Sequence, residues 1–238
     1  MTSETLLRAS DLDSGYGRAQ ILYGVGLELR RGEVVALLGR NGAGKSTTLK
    51  TLMGLVRAKR GQITLFGERI DTLPPYRVCR MGLGYVPEER RVFAGLTVME
   101  NLEVARRPSR DGIRSWTPER LFELFPNLGR MRERRGGEMS GGEQQMLTIA
   151  RTLMGNPLAV LLDEPSEGLA PVIVDEMAKG IAELKREGLS ILLSEQNLRF
   201  ATAIADRAAI IESGVIRFTG TMAELFANTE VRDRYLAV

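Results

Sequence analysis

Met139-Ser140-Gly141-Gly142-Glu143-Gln144-Gln145 opens the stretch that decides the fold, and Leu161-Leu162-Asp163-Glu164 closes it. Ser140 with Glu143 three residues later is a capping box, so a helix is expected to start at Gly141. Its first N–H groups are left without intrahelical partners, and two glycines leave that backbone open to close approach. Bare N–H groups at the positive end of a helix attract anions. Met146, Ile149, Ala150 and Leu153 give the helix one apolar face, and Gly155-Asn156-Pro157 stops it. Leu158 to Leu162 is an unbroken apolar run, which suits a strand buried on both faces of a parallel sheet. Asp163 and Glu164 follow at its carboxyl end, the edge where open α/β sheets bind ligands.

A second stretch names the anion. Gly39-Arg40-Asn41-Gly42-Ala43-Gly44-Lys45-Ser46-Thr47 follows the apolar run Val34 to Leu38 and precedes a helical segment. This is the phosphate-loop pattern in its strand–loop–helix setting. The glycines let backbone N–H groups cradle phosphates. Lys45 brings a charge to the terminal phosphates and Ser46 a hydroxyl to Mg²⁺.

The phosphate loop, Ser-Gly-Gly-Glu-Gln and apolar-Asp-Glu-Pro, in this order, resemble the ATP-binding-cassette family along nearly the whole chain. The Ser140–Gln144 run is the specific part, because phosphate-loop kinases and GTPases lack it. The resemblance implies one ATP-binding domain over residues 1–238. Its α/β phosphate-loop core would hold a mostly parallel sheet, with an N-terminal antiparallel β subdomain and an inserted α-helical subdomain near residues 97–156. ATP and Mg²⁺ are the implied ligands. Gly39, Asn41, Gly42, Gly44, Lys45, Ser46 and Thr47 would surround the phosphates, with Asp163 and Ser46 holding Mg²⁺. Glu164 would serve as general base. Ser140, Gly141, Gly142 and Gln144 would face the γ-phosphate held by a second subunit, so that two ATPs are buried head to tail.

Leu6 to Ala9 and Val25 to Leu29 read as strands around a turn at Ser14-Gly15-Tyr16-Gly17. Tyr16 matches the aromatic that stacks on adenine in cassettes; local packing in the turn is the other reading. A helix is expected from Lys45 to Leu55, after which Arg60-Gly61 turns the chain into a strand, Ile63 to Phe66. Pro74-Pro75 opens a short helix ending near Gly82, and Leu83 to Val86 is a strand. Glu88 stands where most cassettes carry a glutamine that touches Mg²⁺ and couples to the membrane partner. It offers a hard oxygen to the metal, or else is a solvated loop carboxylate.

Thr97-Val98-Met99-Glu100 is a second capping box, and Thr117-Pro118 starts another helix through Phe125. Arg106, Arg107, Arg110 and Arg114, then Arg130, Arg132, Arg134 and Arg135, cluster here, as solvated faces or as a dock for an acidic partner. Trp116 reads as core. Pro171 fits the start of a helix with Ile173, Met177, Ile181 and Leu184 on one face, closed by Gly188. Ile191 to Leu193 is a buried strand. Past it stands Gln196, where cassettes usually carry a histidine that contacts the γ-phosphate. A hairpin (Asp206 to Ile211, Val215 to Phe218) and two short helices finish the chain.

The chain has 238 residues, 43% hydrophobic and 26% charged, a balance that permits a sizeable core. A net charge of +3 is too small to argue for nucleic acid. The single cysteine, Cys79, excludes an internal disulfide and reads as a structural thiol in a reducing interior. The absence of histidine excludes zinc sites and histidine-based acid–base chemistry. No apolar run is long enough to cross a bilayer, and the Met1-Thr2-Ser3 start is no signal peptide.

Three departures narrow the resemblance to the LivF-type ATPases of branched-chain amino acid importers and their relatives for urea and short amides. They are Pro87-Glu88 with Arg90-Arg91-Val92-Phe93, Glu164-Pro165-Ser166 with Gly168-Leu169-Ala170-Pro171, and Glu195-Gln196-Asn197. In that group Glu88 and Gln196 are ordinary. Ala170 replaces the usual aspartate, and Tyr235-Leu236-Ala237-Val238 points toward the urea branch. The implied partners are transmembrane permease subunits, a second cassette ATPase (the same chain or another) and, indirectly, a periplasmic solute-binding protein, at the cytoplasmic face of the inner membrane. The rivals are an exporter subunit and a non-transport ATPase. Ribosome-acting cassettes usually pair two cassettes in one chain, and DNA-repair cassettes split theirs with a coiled coil.

Overall fold

The computed structural model describes residues 4–110 and 115–235. Arg114, the Met1-Thr2-Ser3 start and the Leu236-Ala237-Val238 end lie outside the described residues. The first half of the chain runs through β1 (Thr5–Tyr16), β2 (Ala19–Arg30), β3 (Val34–Leu38), α1 (Lys45–Leu52), β4 (Ala58–Leu65), β5 (Glu68–Arg69), α2 (Pro75–Met81) and β6 (Leu83–Val86). Helices follow: α3 (Val98–Val104), α4 (Pro118–Leu124), α5 (Pro126–Arg130), a 3₁₀ turn (Gly136–Glu138) and α6 (Gly141–Leu153). The rest is β7 (Ala159–Asp163), α7 (Pro171–Arg186), β8 (Ser190–Glu195), α8 (Leu198–Ile204), β9 (Arg207–Glu212), β10 (Val215–Thr221), α9 (Met222–Ala227) and α10 (Thr229–Tyr235).

Two sheets form. One is antiparallel, in the order β2-β1-β4-β5; the other has the order β10-β9-β3-β8-β7-β6 and is parallel except for β10. Side chains of the second sheet alternate between two apolar cores, as a strand's period of two demands. Val34, Ala36 and Leu38 join Leu162, Leu193 and the helices of residues 98–153 on one face. Val35 and Leu37 join Leu161, Leu192, α1 and the antiparallel sheet on the other. Burial on both faces accounts for the unbroken apolar runs.

Several boundaries differ from the sequence reading. The first two strands are each 12 residues long, and Tyr16 closes β1 rather than sitting in a turn. Asp11 at φ 52° and breaks in register put bulges into β1, which hides its alternation. The first helix stops at Leu52, and Arg60-Gly61 lies inside β4. Cys79 is exposed on α2, so it is not a packed structural thiol. Trp116 is buried, with the Arg120 guanidinium 4.2 Å from its ring centroid. Arg106, Arg107, Arg130, Arg132, Arg134 and Arg135 are exposed, the solvated arrangement; Arg110 instead turns in to donate to the carbonyls of Asn156 and Arg80.

Candidate nucleotide site

β3, β6, β7 and β8 run parallel, so their carboxyl ends share one edge of the sheet. Leu38 stands opposite Glu195, and Asp163 opposite Ser194. The phosphate loop, the Glu88 loop, the Asp163-Glu164 pair and Gln196 therefore leave the sheet side by side.

The phosphate loop bends through Gly42 at φ 76° and Gly44 at φ 111°, conformations that favour glycine. Gly39 is needed for another reason: a Cβ there would lie 2.4 Å from the Ile211 carbonyl of β9. Lys45 is buried at the start of α1, where its Nζ donates to the carbonyls of Gly39 (2.8 Å) and Arg40 (3.0 Å). It also pairs with Glu164 Oε1 at 3.0 Å. Thr47 is buried, Ser46 half-buried and Asn41 exposed.

Asp163 is fixed from both sides. Tyr85 donates to its Oδ2 (3.0 Å) and Ser194 Oγ to its Oδ1 (2.7 Å). The same Ser194 Oγ accepts the Glu164 N–H (3.1 Å), and Glu164 sits at φ 45°, a strained setting for a side chain of its size. Gln196 Nε2 donates to Glu164 Oε2 (2.9 Å). Burial pushes the Glu164 carboxyl up, but hydrogen bonds from Glu167, Gln196 and Lys45, with the Lys45 charge, hold it below its ordinary range. Glu167 goes the other way, raised to about 7 by its hydrogen bond to Glu164, by partial burial and by the charges of Glu164 and Glu88. Partial desolvation and the charges of Glu164 and Asp163 also raise Glu88, which places that exposed loop in the same field.

Tyr85, Ser194, Glu167 and Glu195 escaped the sequence reading. Glu195 is buried and accepts the N–H groups of Ser166 (3.0 Å), Gln196 (3.1 Å) and Asn197 (3.1 Å), tying two site loops together. A serine and a glutamate ending an apolar strand were the only local signal.

The capping box at Ser140 forms as read: Glu143 N–H reaches Ser140 Oγ (3.4 Å), and Ser140 N–H reaches Glu143 Oε2 (2.7 Å). The side-chain directions of the two glycines face other parts of the chain. A Cβ on Gly141 would lie 2.3 Å from the Arg90 guanidinium, and one on Gly142 would lie 2.6 Å from Ile173. Gln144 turns inward to the Gly136 carbonyl (2.9 Å). Tyr16 is half exposed, two residues past Ser14, whose hydroxyl bonds Thr51 of α1 at 2.7 Å. The hairpin is thus anchored to the phosphate-loop helix next to that ring.

The donor set suits a polyanion carrying its own metal. Among the described residues no group of three or more His, Cys, Asp or Glu could hold a metal by itself. Ser46 and Asp163 offer a few hard oxygens, which fits Mg²⁺ bound partly by phosphate.

Residues 22–167 match the family described as ABC transporter. The chain is 45% identical over 231 residues to the high-affinity branched-chain amino acid transport ATP-binding protein BraG of Pseudomonas aeruginosa, covering 97% of this chain and 99% of that one. It is 36% identical over 234 residues to the lipopolysaccharide export system ATP-binding protein LptB of Haemophilus influenzae, covering 98% and 97%. The ADP conformation of an ATP-binding cassette of an ABC transporter superposes with a TM-score of 0.82 at 26% identity, over 98% of this chain and 97% of that one. Phosphate loop, paired carboxylates and whole-length likeness agree: the chain belongs to the ABC transporter family and is one of its ATP-hydrolysing, ATP-binding subunits.

Proposed function

We propose that this chain powers an importer of branched-chain amino acids or related small amino or amide solutes. It works with permease subunits at the cytoplasmic face of the inner membrane, fed by a periplasmic solute-binding protein. The observation that carries this reading is the 45% identity to BraG across nearly the whole of both chains. Export is the second reading, favoured by the 36% identity to LptB. No helix among the described residues is long and apolar enough to cross a membrane.

Lys45 and the loop N–H groups bind the phosphates of ATP, and Tyr16 stacks on its base. Ser46, Asp163 and Glu88 would hold Mg²⁺, which when bound neutralises phosphate charge. Glu164 takes the proton of the attacking water. Gln196, without charge, orients Glu164 and the water. Ser140, Gly141, Gly142 and Gln144 complete the site of a second cassette subunit, of the same or another chain. Hydrolysis removes the γ-phosphate that joins the two.

The permease seat in this reading is a groove of about 760 Å³ lined by Leu55, Tyr76, Cys79, Tyr85 and Arg107. Leu55 and Tyr76 expose more than half their surface there. Tyr85 lines the groove and also donates to Asp163, so the seat and the site share one side chain.

The test is gentle detergent capture of the tagged chain from its own membranes, with partners identified by mass spectrometry. Two permeases, a second ATPase and solute uptake that depends on them are expected. Capture of an export permease, or of cytosolic partners alone, would overturn the importer reading. Maleimide labelling of Cys79 should also fall when the permease is bound.

A further inference from the structure

Arg90 touches three parts of the site at once. Its Nη2 donates to the Glu167 carbonyl at 3.2 Å. Its guanidinium lies over Gly141, in the space a Cβ would take. Its own carbonyl accepts the Thr148 hydroxyl from the second turn of α6. The loop is held in an unusual shape to do this: Arg90 at φ 60° and Arg91 at φ 23° are consecutive left-handed side chains. Arg151 of α6 secures the next residue by donating to the Arg91 carbonyl at 2.6 Å.

The parts so joined do different work. Under the reading above, on which this inference rests, Glu164 acts on the ATP bound by its own chain, while Ser140 and Gly141 act on the ATP bound by the partner. We propose that Arg90 is a positioning residue that locks the loop after Glu164 to the first turn of α6, so that the two ATP sites of a pair respond together. A rigid planar fork that rests on a glycine and donates to a carbonyl can hold both; a single ammonium or an apolar stem cannot.

The experiment is the dependence of hydrolysis rate on ATP concentration for wild type, Arg90→Lys and Arg90→Met, in the paired assembly. Lysine keeps the charge, methionine keeps an unbranched apolar side chain, and both lose the fork. Circular dichroism confirms folding, and binding of a fluorescent ATP analogue to the single chain should stay within about twofold, the scatter of a contact that is not lost. Wild type should show a Hill coefficient approaching the two-site limit, and both variants should fall toward about 1. A wild-type Hill coefficient in either variant, or none above 1 in wild type, overturns the proposal. A separate control tests the reading beneath it: Glu164→Gln, with Arg90 intact, should associate with its cassette partner on adding ATP. Failure of that association defeats the composite site; association with unchanged cooperativity in the Arg90 variants defeats only the role of Arg90.

Discussion

Lys45 Nζ lies 3.0 Å from Glu164 Oε1, and both side chains are almost wholly buried. Under the proposed roles, the lysine that would bind phosphate is paired with the carboxylate that would activate water. ATP binding would then exchange one anion for another at Lys45 and free the Glu164 oxygen. Removing one partner of a buried pair leaves the other charge uncompensated. Lys45→Ala should therefore destabilise the nucleotide-free chain by about 3 kcal/mol as well as abolish turnover. Urea unfolding measures the first effect; a loss near zero would mean that the pair is not formed.

Tyr16→Ala should weaken ATP binding by about 1–2 kcal/mol through the lost stacking. Inorganic triphosphate should bind the variant as it binds wild type. Calorimetry with both ligands decides, and equal losses would argue against a ring on the base.

Glu167 carries a pH signature. Its carboxyl, raised to about 7 in the folded chain, is easier to protonate there than in the unfolded chain. Below the unfolded carboxylate range both states hold the proton and nothing is lost. As pH rises through about 7 the folded state must ionise beside Glu164, and that contribution to stability disappears. Glu167→Gln, neutral at every pH, should melt with wild type at pH 4.5 and above it at pH 8. Parallel melting curves across that range would contradict the shared proton.

Asn156 is a buried hub. Its side chain accepts the Trp116 N–H (2.8 Å) and donates to the carbonyls of Arg107 (2.8 Å) and Pro108 (3.2 Å). Asn156→Ala strands the buried Trp116 backbone N–H and should cost about 1–3 kcal/mol, since the carbonyls of the exposed Arg107 and Pro108 can turn to water. Denaturant midpoints with an unchanged slope would report it, and a shift under about 1 kcal/mol would show that water replaces the amide.

Asn156 also marks where sequence reading stops. Gly155-Asn156-Pro157 was legible as a helix end, because chain stops are local. Its partners lie 40 to 49 residues away and leave no local trace. The runs at β3, β7 and β8 were legible because both faces are buried, and Ser140 and Thr97 because a capping box needs only four residues. The long hairpin was not, since bulges break its alternation. Nor could the sequence show why both positions exclude a side chain: a Cβ on Gly141 would meet Arg90 and one on Gly142 would meet Ile173. Asp163 and Glu164 could be read from the strand that carries them. The Tyr85 and Ser194 hydroxyls that fix Asp163 come from strands 78 and 31 residues away.

In the proposed mechanism Glu164 draws the proton from water while other groups bind ATP. Phosphate release by the Glu164→Gln assembly, at saturating ATP and beside wild type, tests it most directly. General-base loss predicts a rate at least about 100-fold lower with nucleotide still bound. A rate equal to wild type, with ATP bound equally well, would contradict it.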